Sequence, residues 1–323
     1  MYFDKESFMQ PSVAQYGSHM VMTNVQKETR RKYINIDTRF RDDYNDMSHT
    51  NHWEHLISLP ITFTDIKSIM VRHAEIPMTF YNISASLGNN GFLISNSLIS
   101  AAITLVDGNY SVADLQVAIN KQLKAVIPQV TFSVSNIIDA SFNGSYTNYI
   151  ATFTNAGPSQ VTINFAVTGG VCGSSGIAND KYNVKGKLGW MLGFHRQPQV
   201  VIQGSGSVIS SVGDSVVDLN GPRYLYLIVD EFSKGNQNSF ISPLCASFIN
   251  KNILARINLD KQIYPFGSIL PANLYSGSLV SDIRSYNGKI DIQRMKVQLV
   301  NEYGNPVNLC GLDFSFCLEM EYE

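Results

Sequence analysis

Residues Asp65–Ser84 read DIKSIMVRHAEIPMTFYNIS. This stretch opens as a strand. Ile66, Ser68, Met70, Arg72 and Ala74 fall on one side, and Lys67, Ile69, Val71, His73 and Glu75 on the other. Apolar residues occur on both sides, so the alternation is imperfect. That pattern suits a strand covered on both faces, or one shared between a core and a neighbouring subunit. Pro77 has no N–H to donate and stops the ladder. Phe80 and Tyr81 add apolar bulk just past the break. The stretch reads as the first core strand of a β-protein, with Lys67, Ile69, Val71 and His73 as a candidate subunit contact.

Upstream, residues 1–60 are polar and show no sustained period, which marks an N-terminal arm before a domain of residues 61–323. Inside the arm, KETRRKYINIDTRFRDDY (Lys27–Tyr44) interleaves charges of both signs. It reads as a solvated strand with weak local ion pairs, or as an arm docking on a neighbouring subunit or inner layer. The docking residues would be Tyr33, Ile34, Ile36, Arg39 and Arg41. Nucleic acid would call for a cleaner positive run, and none is expected as a specific partner. His49, His52 and His55 recur at intervals of three, with Asp46 in phase. On a helix they could approach a metal, but the segment has no other helix signal, and no metal is assigned.

Downstream, short strands alternate with turns. GNNG (Gly88–Gly91) and Asp107-Gly108-Asn109 are turn signals. Ser111 is a helix N-cap with Asp114 in the capping-box position. Val112, Leu115, Ile119, Leu123 and Val126 keep helical spacing until Pro128. Strands follow over Val130–Val134, Tyr149–Thr154 and Val161–Val167. TGGVCGSSG (Thr168–Gly176) lacks the Gly-Lys-Ser/Thr ending of a phosphate loop and reads as a surface loop. In LGWMLGF (Leu188–Phe194), Gly189 and Gly193 allow close backbone approach while the large side chains plug a core. The alternative there is a ligand pocket around Trp190.

YLYLIV (Tyr224–Val229) is a buried strand, left by Asp230-Glu231-Phe232. Ile290–Val300 alternates with a shift between Ile292 and Met295 that marks a bulge. Leu312–Tyr322 places Leu312, Phe314, Phe316, Leu318, Met320 and Tyr322 on one side. One of these two closing strands is the expected sheet partner of the opening strand. Many short strands with one convincing helix predict an all-β fold: a single jelly-roll β-sandwich of two four-stranded sheets, with loop insertions.

The bulk numbers fit a full core without attraction to polyanions. The chain has 323 residues, 44% hydrophobic and only 15% charged, with a net charge of −2. Cys172, Cys245, Cys310 and Cys317 form no CxxC pair and read as mostly buried thiols in a reducing compartment. No run reaches the about 18 apolar residues of a membrane span, so a soluble, cytosolically made protein is expected. Carboxylates sit mainly in turns, and no GxSxG elbow occurs. No catalytic constellation is legible, and no enzyme activity is expected.

INIDTRFR (Ile34–Arg41), IKSIMVRHAEIPMTFYNIS, DGNYS (Asp107–Ser111), LGWMLGF, YLYLIVDEF (Tyr224–Phe232) and the closing GKIDIQRMKVQLVNEYGNPVNLCGLDFSFCLEMEY occur in this order. Together they resemble the penton and related minor capsid proteins of nucleocytoplasmic large DNA viruses. The resemblance implies a structural jelly-roll subunit, a homopentamer at the icosahedral vertices of the virion, with no enzymatic activity and no cofactor. It implies the major capsid protein, other minor capsid proteins and an inner membrane layer as neighbours, and synthesis in the host cytoplasm. The chain is too short for the double jelly roll of a typical major capsid protein. A second reading is another single jelly-roll minor capsid protein. A third is a glycan- or receptor-binding β-sandwich on the virion surface, with Tyr264, Phe266 and Tyr275 in its loops.

Overall fold

The computed structural model describes residues 29–42, 54–137, 148–166, 184–196, 199–232, 252–304 and 306–323. In chain order the elements are β1 (Arg30–Asp37), β2 (Glu54–Pro77), β3 (Gly91–Ser95), β4 (Ser100–Thr104), α1 (Val112–Val126), β5 (Val130–Ile137), β6 (Asn148–Asn155), β7 (Val161–Asn164) and α2 (Leu188–Met191). Then come β8 (Gln199–Ile202), β9 (Ile209–Val212), β10 (Tyr224–Asp230), β11 (Ile253–Asn258), β12 (Ile269–Asn273), β13 (Leu279–Ser281), β14 (Arg284–Asn301) and β15 (Ser315–Tyr322). The protein is an all-β jelly roll, with one long helix among the described residues.

The jelly roll is one curled eight-stranded antiparallel sheet instead of two separate four-stranded ones. Its order is β1-β15-β2-β14-β10-β11-β13, with β12 also paired to β2. The curl brings the last strand back to the middle one: the Val71 N–H on β2 donates to Ser281 Oγ on β13 at 3.0 Å. Leu225, Leu227 and Val229 of β10 thereby share a core with Ile69, Val71 and Ile76 of β2 and with Phe316 and Leu318 of β15. Each such side chain, fully buried, contributes roughly 1.5–3 kcal/mol before entropy is counted.

β2 is the axis of this sheet, and both closing strands flank it. β15 pairs along residues Ile66–Glu75 and β14 along Glu54–Ile69. The mixed alternation has a cause different from the expected two-sided burial. Cys317 pairs with His73 but Leu318 pairs with Val71, which leaves Arg72 over; Glu321 pairs with Ser68 but Tyr322 with Ile66, which leaves Lys67 over. Each extra residue reverses the side-chain phase, as a β-bulge does. Ile66, Ile69, Val71, Ala74 and Ile76 therefore all enter one core despite their uneven spacing. The bulge anticipated in β14 is also present, between Ile292 and Arg294.

Three sequence boundaries move. The segment 1–60 read as an arm contains β1, which pairs with β15 from Arg30↔Tyr322 to Asp37↔Ser315. It also contains the start of β2, whose Ile57 and Leu59 belong to the core. Leu312 is exposed and precedes β15, its N–H closing a turn onto the Leu309 carbonyl at 3.2 Å.

The residues between β2 and β10 are more than loops. They build a second core under the four-stranded sheet β4-β3-β7-β8, the three-stranded sheet β5-β6-β9 and α1. α1 forms as the spacing predicts. Ser111 Oγ accepts from the Asp114 N–H at 3.2 Å, and Leu115, Ile119 and Leu123 are fully buried. Phe92, Phe132, Phe153, Phe165 and Phe194 fill the centre; Phe132 and Phe153 have ring centroids 4.8 Å apart. LGWMLGF caps this core. A Cβ on Gly189 would lie 2.3 Å from the Phe165 ring, and Gly193, at φ +88°, would push one within 2.1 Å of the Ser215 carbonyl.

Candidate functional site

The stretches YNIS and DGNYS, far apart in sequence, lock together where the chain leaves the jelly roll. Asn82 Nδ2 donates to the carbonyls of Tyr110 and Leu219, each at 3.0 Å, and its Oδ1 accepts the Tyr110 N–H at 2.9 Å. Asn109 Oδ1 accepts the Asn82 N–H at 2.9 Å. Asp107 receives Ser84 Oγ at 2.7 Å and the Ala85 N–H at 2.8 Å. One amide, Asn82, thus ties the outgoing connector, the DGNYS turn and the returning connector at Leu219.

A cleft of about 570 Å³ opens beside this joint, between the two cores. Trp190, Met191 and His195 form one wall, and Tyr224, Tyr226 and Tyr303 the other. The Trp190 and His195 rings stack at 3.9 Å, with the Trp190 carbonyl 3.0 Å from His195 Nε2. Burial pushes the Tyr303 phenol up to about 12, and burial together with a hydrogen bond to Tyr224 pushes Tyr226 up to about 12. Glu302 also lines the cleft. Its carboxyl is raised, chiefly by burial, and Oε2 has no hydrogen-bond partner among the described residues. Trp190 therefore does line a pocket, the alternative its sequence context offered, while Leu188, Leu192 and Phe194 plug the core.

The residues expected at an interface separate into two groups. Ile36, Ile69 and Val71 are buried in the chain's own core and Ile34 packs against it, so none of these presents a docking surface. The bulges and the β1–β15 pairing put them there. Tyr33, Arg39 and Lys67 remain accessible, and His73 is half-buried opposite Cys317 and Asn273. Arg39 holds the Asp37 carboxylate through Nη2 at 2.6 Å and lowers its pKa. Arg41 pairs with Asp313 and donates to the Thr38 carbonyl at 2.7 Å. Lys67 Nζ reaches Glu323 at 2.6 Å.

Around Tyr33 the outer face of β1, β15 and β2 carries a charged network centred on Glu319. Arg72 Nε donates to it at 2.6 Å and Arg31 lies at 3.5 Å. The hydrogen bond from Arg72 holds the Glu319 carboxyl below its ordinary value. The exposed side of the sheet that was expected to be mixed is thus polar and ion-paired.

Several expectations fall elsewhere. His55 lies on β2 beside Phe314, with ring centroids 5.9 Å apart, so helical spacing of the histidines does not hold there; Asp46, His49 and His52 lie outside the described residues. Among the described residues no group of His, Cys, Asp and Glu could hold a metal ion. Cys310 is exposed and Cys317 partly so, against the expectation of buried thiols; Cys172, Cys245 and the Thr168–Gly176 loop are outside the described residues. No helix among them is long and apolar enough to cross a membrane. Sequence reasoning passed over Asn82, Glu302 and the buried pair Arg284–Glu231, because polar residues next to turn signals look solvent-facing until the fold encloses them.

No family model matches the chain, and no curated protein does. Among solved structures the chain is similar to the penton protein of mavirus, a selenomethionine crystal structure. That match is 12% identical, covers 91% of this chain and 99% of that one, and has a TM-score of 0.39.

Proposed function

We propose that this chain is a structural subunit of an icosahedral viral capsid, assembling as a homopentamer at the vertices. One observation carries the reading. Three of the stretches that resemble penton-type capsid proteins supply the four adjacent central strands of the curled sheet: the closing stretch gives β14 and β15, and the other two give β2 and β10. The tail of the β2 stretch, YNIS, and one more stretch, DGNYS, form the hydrogen-bonded joint to the second core. The ordered resemblance thus falls on the parts that define the architecture and its joint, instead of on scattered loops.

A five-fold ring uses one surface of each subunit against a different surface of the next. The polar, ion-paired face around Tyr33, Arg72 and Glu319 suits such a contact, since paired charges are already partly neutralised before association. On this reading the chain works without a cofactor or catalysis, in the virion, beside the major capsid protein and other minor capsid proteins. Multi-angle light scattering of the purified chain, with class averages by electron microscopy, tests it. Five-fold particles, or five-fold vertex density assigned to this chain in a capsid, support it. Vertex density assigned to another protein in a capsid that contains this chain would sink it.

A further inference from the structure

We propose that the outer edge of β1 is the docking site for an extended, acidic segment of a partner protein, which adds to the jelly-roll sheet as one more strand. The inference goes beyond the five-fold reading, because backbone groups at a sheet edge make the contact and not the sheet's outer face.

The first argument is register. β1 is a terminal strand of the eight-stranded sheet. It pairs with β15 without a bulge, and the Thr38 N–H carries the ladder on to the Phe314 carbonyl at 3.0 Å. Backbone direction alternates along an antiparallel strand. Ile36, Ile34 and Lys32 therefore bond towards β15, while Arg31, Tyr33, Asn35 and Asp37 turn N–H and C=O outward. Among the described residues nothing pairs with the backbone groups of Arg31, Tyr33 and Asn35. No proline or glycine interrupts the strand. A row of free donors and acceptors at strand spacing is a template for another strand.

The second argument is contrast with other edges of the same chain. α1 covers two of them with side-chain amides. Gln116 accepts the Val134 N–H of β5 at 3.0 Å, and Asn120 accepts the Phe132 N–H at 2.8 Å while donating to the Phe132 carbonyl at 2.7 Å. Gln122 bonds both backbone groups of Thr104 on β4. At the far end of the jelly-roll sheet, β13 turns onto β2 through Ser281. β1 has no such cover among the described residues.

The third argument is charge, and it selects the partner. Arg30, Arg31 and Lys32 are consecutive and exposed. Arg31 reaches Glu319 only at 3.5 Å, and Glu319 is already held by Arg72 at 2.6 Å. Lys32 Nζ lies 4.6 Å from the centre of the Tyr322 ring. Cations on an edge discourage pairing with a strand of like charge. They favour one that sets carboxylates across from them, since cross-strand pairs of opposite charge reinforce the ladder.

The test is fluorescence anisotropy of the full chain with a labelled peptide, Glu-Val-Glu-Val-Thr-Val-Thr, blocked at both ends. A twin with lysine for both glutamates is the control. The acidic peptide should bind at least about tenfold tighter than its twin. Asn35→Pro removes an outward N–H without touching the β15 ladder or any charge, and should weaken binding about tenfold or more. Asn35→Ala should retain binding, and Arg31→Glu should narrow or invert the preference between the twins. Amide exchange by NMR reads the unaltered protein, so a folding defect in a variant cannot imitate it. Ile34 and Ile36 should exchange slowly in the free chain and Tyr33 and Asn35 fast, until the acidic peptide slows the second pair. Absence of binding, equal binding of the twins, undiminished binding by Asn35→Pro, or slow exchange at all four residues in the free chain overturns the proposal. So does self-association of the free chain that Asn35→Pro abolishes, since the edge would then belong to a second copy.

Discussion

Arg284 and Glu231 meet at 2.7 Å inside the curled sheet, and neither side chain reaches solvent. The guanidinium also donates to the carbonyls of Val229 and Asn252, both at 2.8 Å, and Tyr286 OH donates to the other Glu231 oxygen at 2.9 Å. Arg284 starts β14 against Ile69 of β2, whereas Val229 and Asn252 lie where β10 and β11 part. One side chain therefore pins the start of one strand to the ends of two others.

Removing either partner should be far worse than removing both. Arg284→Ala strips the cation from a buried carboxylate that keeps only the Tyr286 hydroxyl, and takes one donor from each of two carbonyls, a loss of about 3–5 kcal/mol. Arg284→Met with Glu231→Leu keeps the volume without the charges and should recover most of that loss. Urea unfolding of the three proteins measures both. Equal destabilisation by the single and double replacements would show that the pair's charge is irrelevant to the fold.

Asn82→Asp should be more harmful than Asn82→Ala at neutral pH. The Asn82 amide gives two hydrogens to the Tyr110 and Leu219 carbonyls, and a carboxylate would aim lone pairs at both. Alanine leaves the same groups unpaired, at about 1–3 kcal/mol each where they stay dry, but adds no repulsion. Limited proteolysis near residues 217–223 should speed up in both variants. The Asp variant should regain resistance in mild acid, where its carboxyl protonates.

How much of this was legible in the sequence depends on what each residue's role requires. α1 could be read because Ser111, Asp114 and the Leu115–Ile119–Leu123 stripe act locally. The β2 strand and its closing partners could be read from alternation, but the bulges at Lys67 and Arg72 could not. A bulge is set by the register of β15, about 250 residues away in sequence, and a one-residue slip turns Ile69 and Val71 from surface into core. The second core was hidden for the same reason: alternation shows that a strand has a buried face, not which sheet covers it. Glu231 looked like a strand exit because its partner, Arg284, lies 53 residues later.

The two LGWMLGF glycines should tolerate alanine unequally. At Gly189 the added methyl meets the Phe165 side chain in the second core, with no backbone clash or positive φ, and overpacking of this kind costs about 1–3 kcal/mol. At Gly193 the clash is with the Ser215 backbone, and the positive φ adds its own strain. Gly193→Ala should therefore lower the melting temperature more than Gly189→Ala. A smaller effect at Gly193 would mean that the 213–216 segment moves freely.

Charge reversal should separate assembly from folding. Arg39→Glu, in the turn after β1, and Tyr33→Glu, on the outer side of the sheet, alter exposed residues, so the monomer's melting temperature should change little while any pentamer weakens. Ile69→Asp, at 1% exposure, should unfold the chain before assembly can be asked about. Light scattering at matched concentrations reads the first effect and circular dichroism the second. Intact pentamers in both surface variants would place the contact on another face.

The pH profile should carry a mark of Lys261. Its folded pKa is lowered to about 8 from an ordinary 10.5. Between those values the unfolded chain binds a proton that the folded chain does not, so stability gains with rising pH. Lys261→Met has no such group. It should be more stable than wild type near pH 7, and the advantage should shrink as pH rises from about 8 to about 10.5. Glu302 acts with the opposite slope in acid, because its carboxyl is raised by burial. The folded state keeps that proton longer, so stability falls as pH climbs from the ordinary carboxyl range towards the folded value, and Glu302→Gln should flatten that limb. Urea midpoints of the three proteins from pH 4 to pH 10.5 separate the two effects; a Lys261→Met advantage that stays constant above pH 8 would show that the enclosed amine does not titrate in that window.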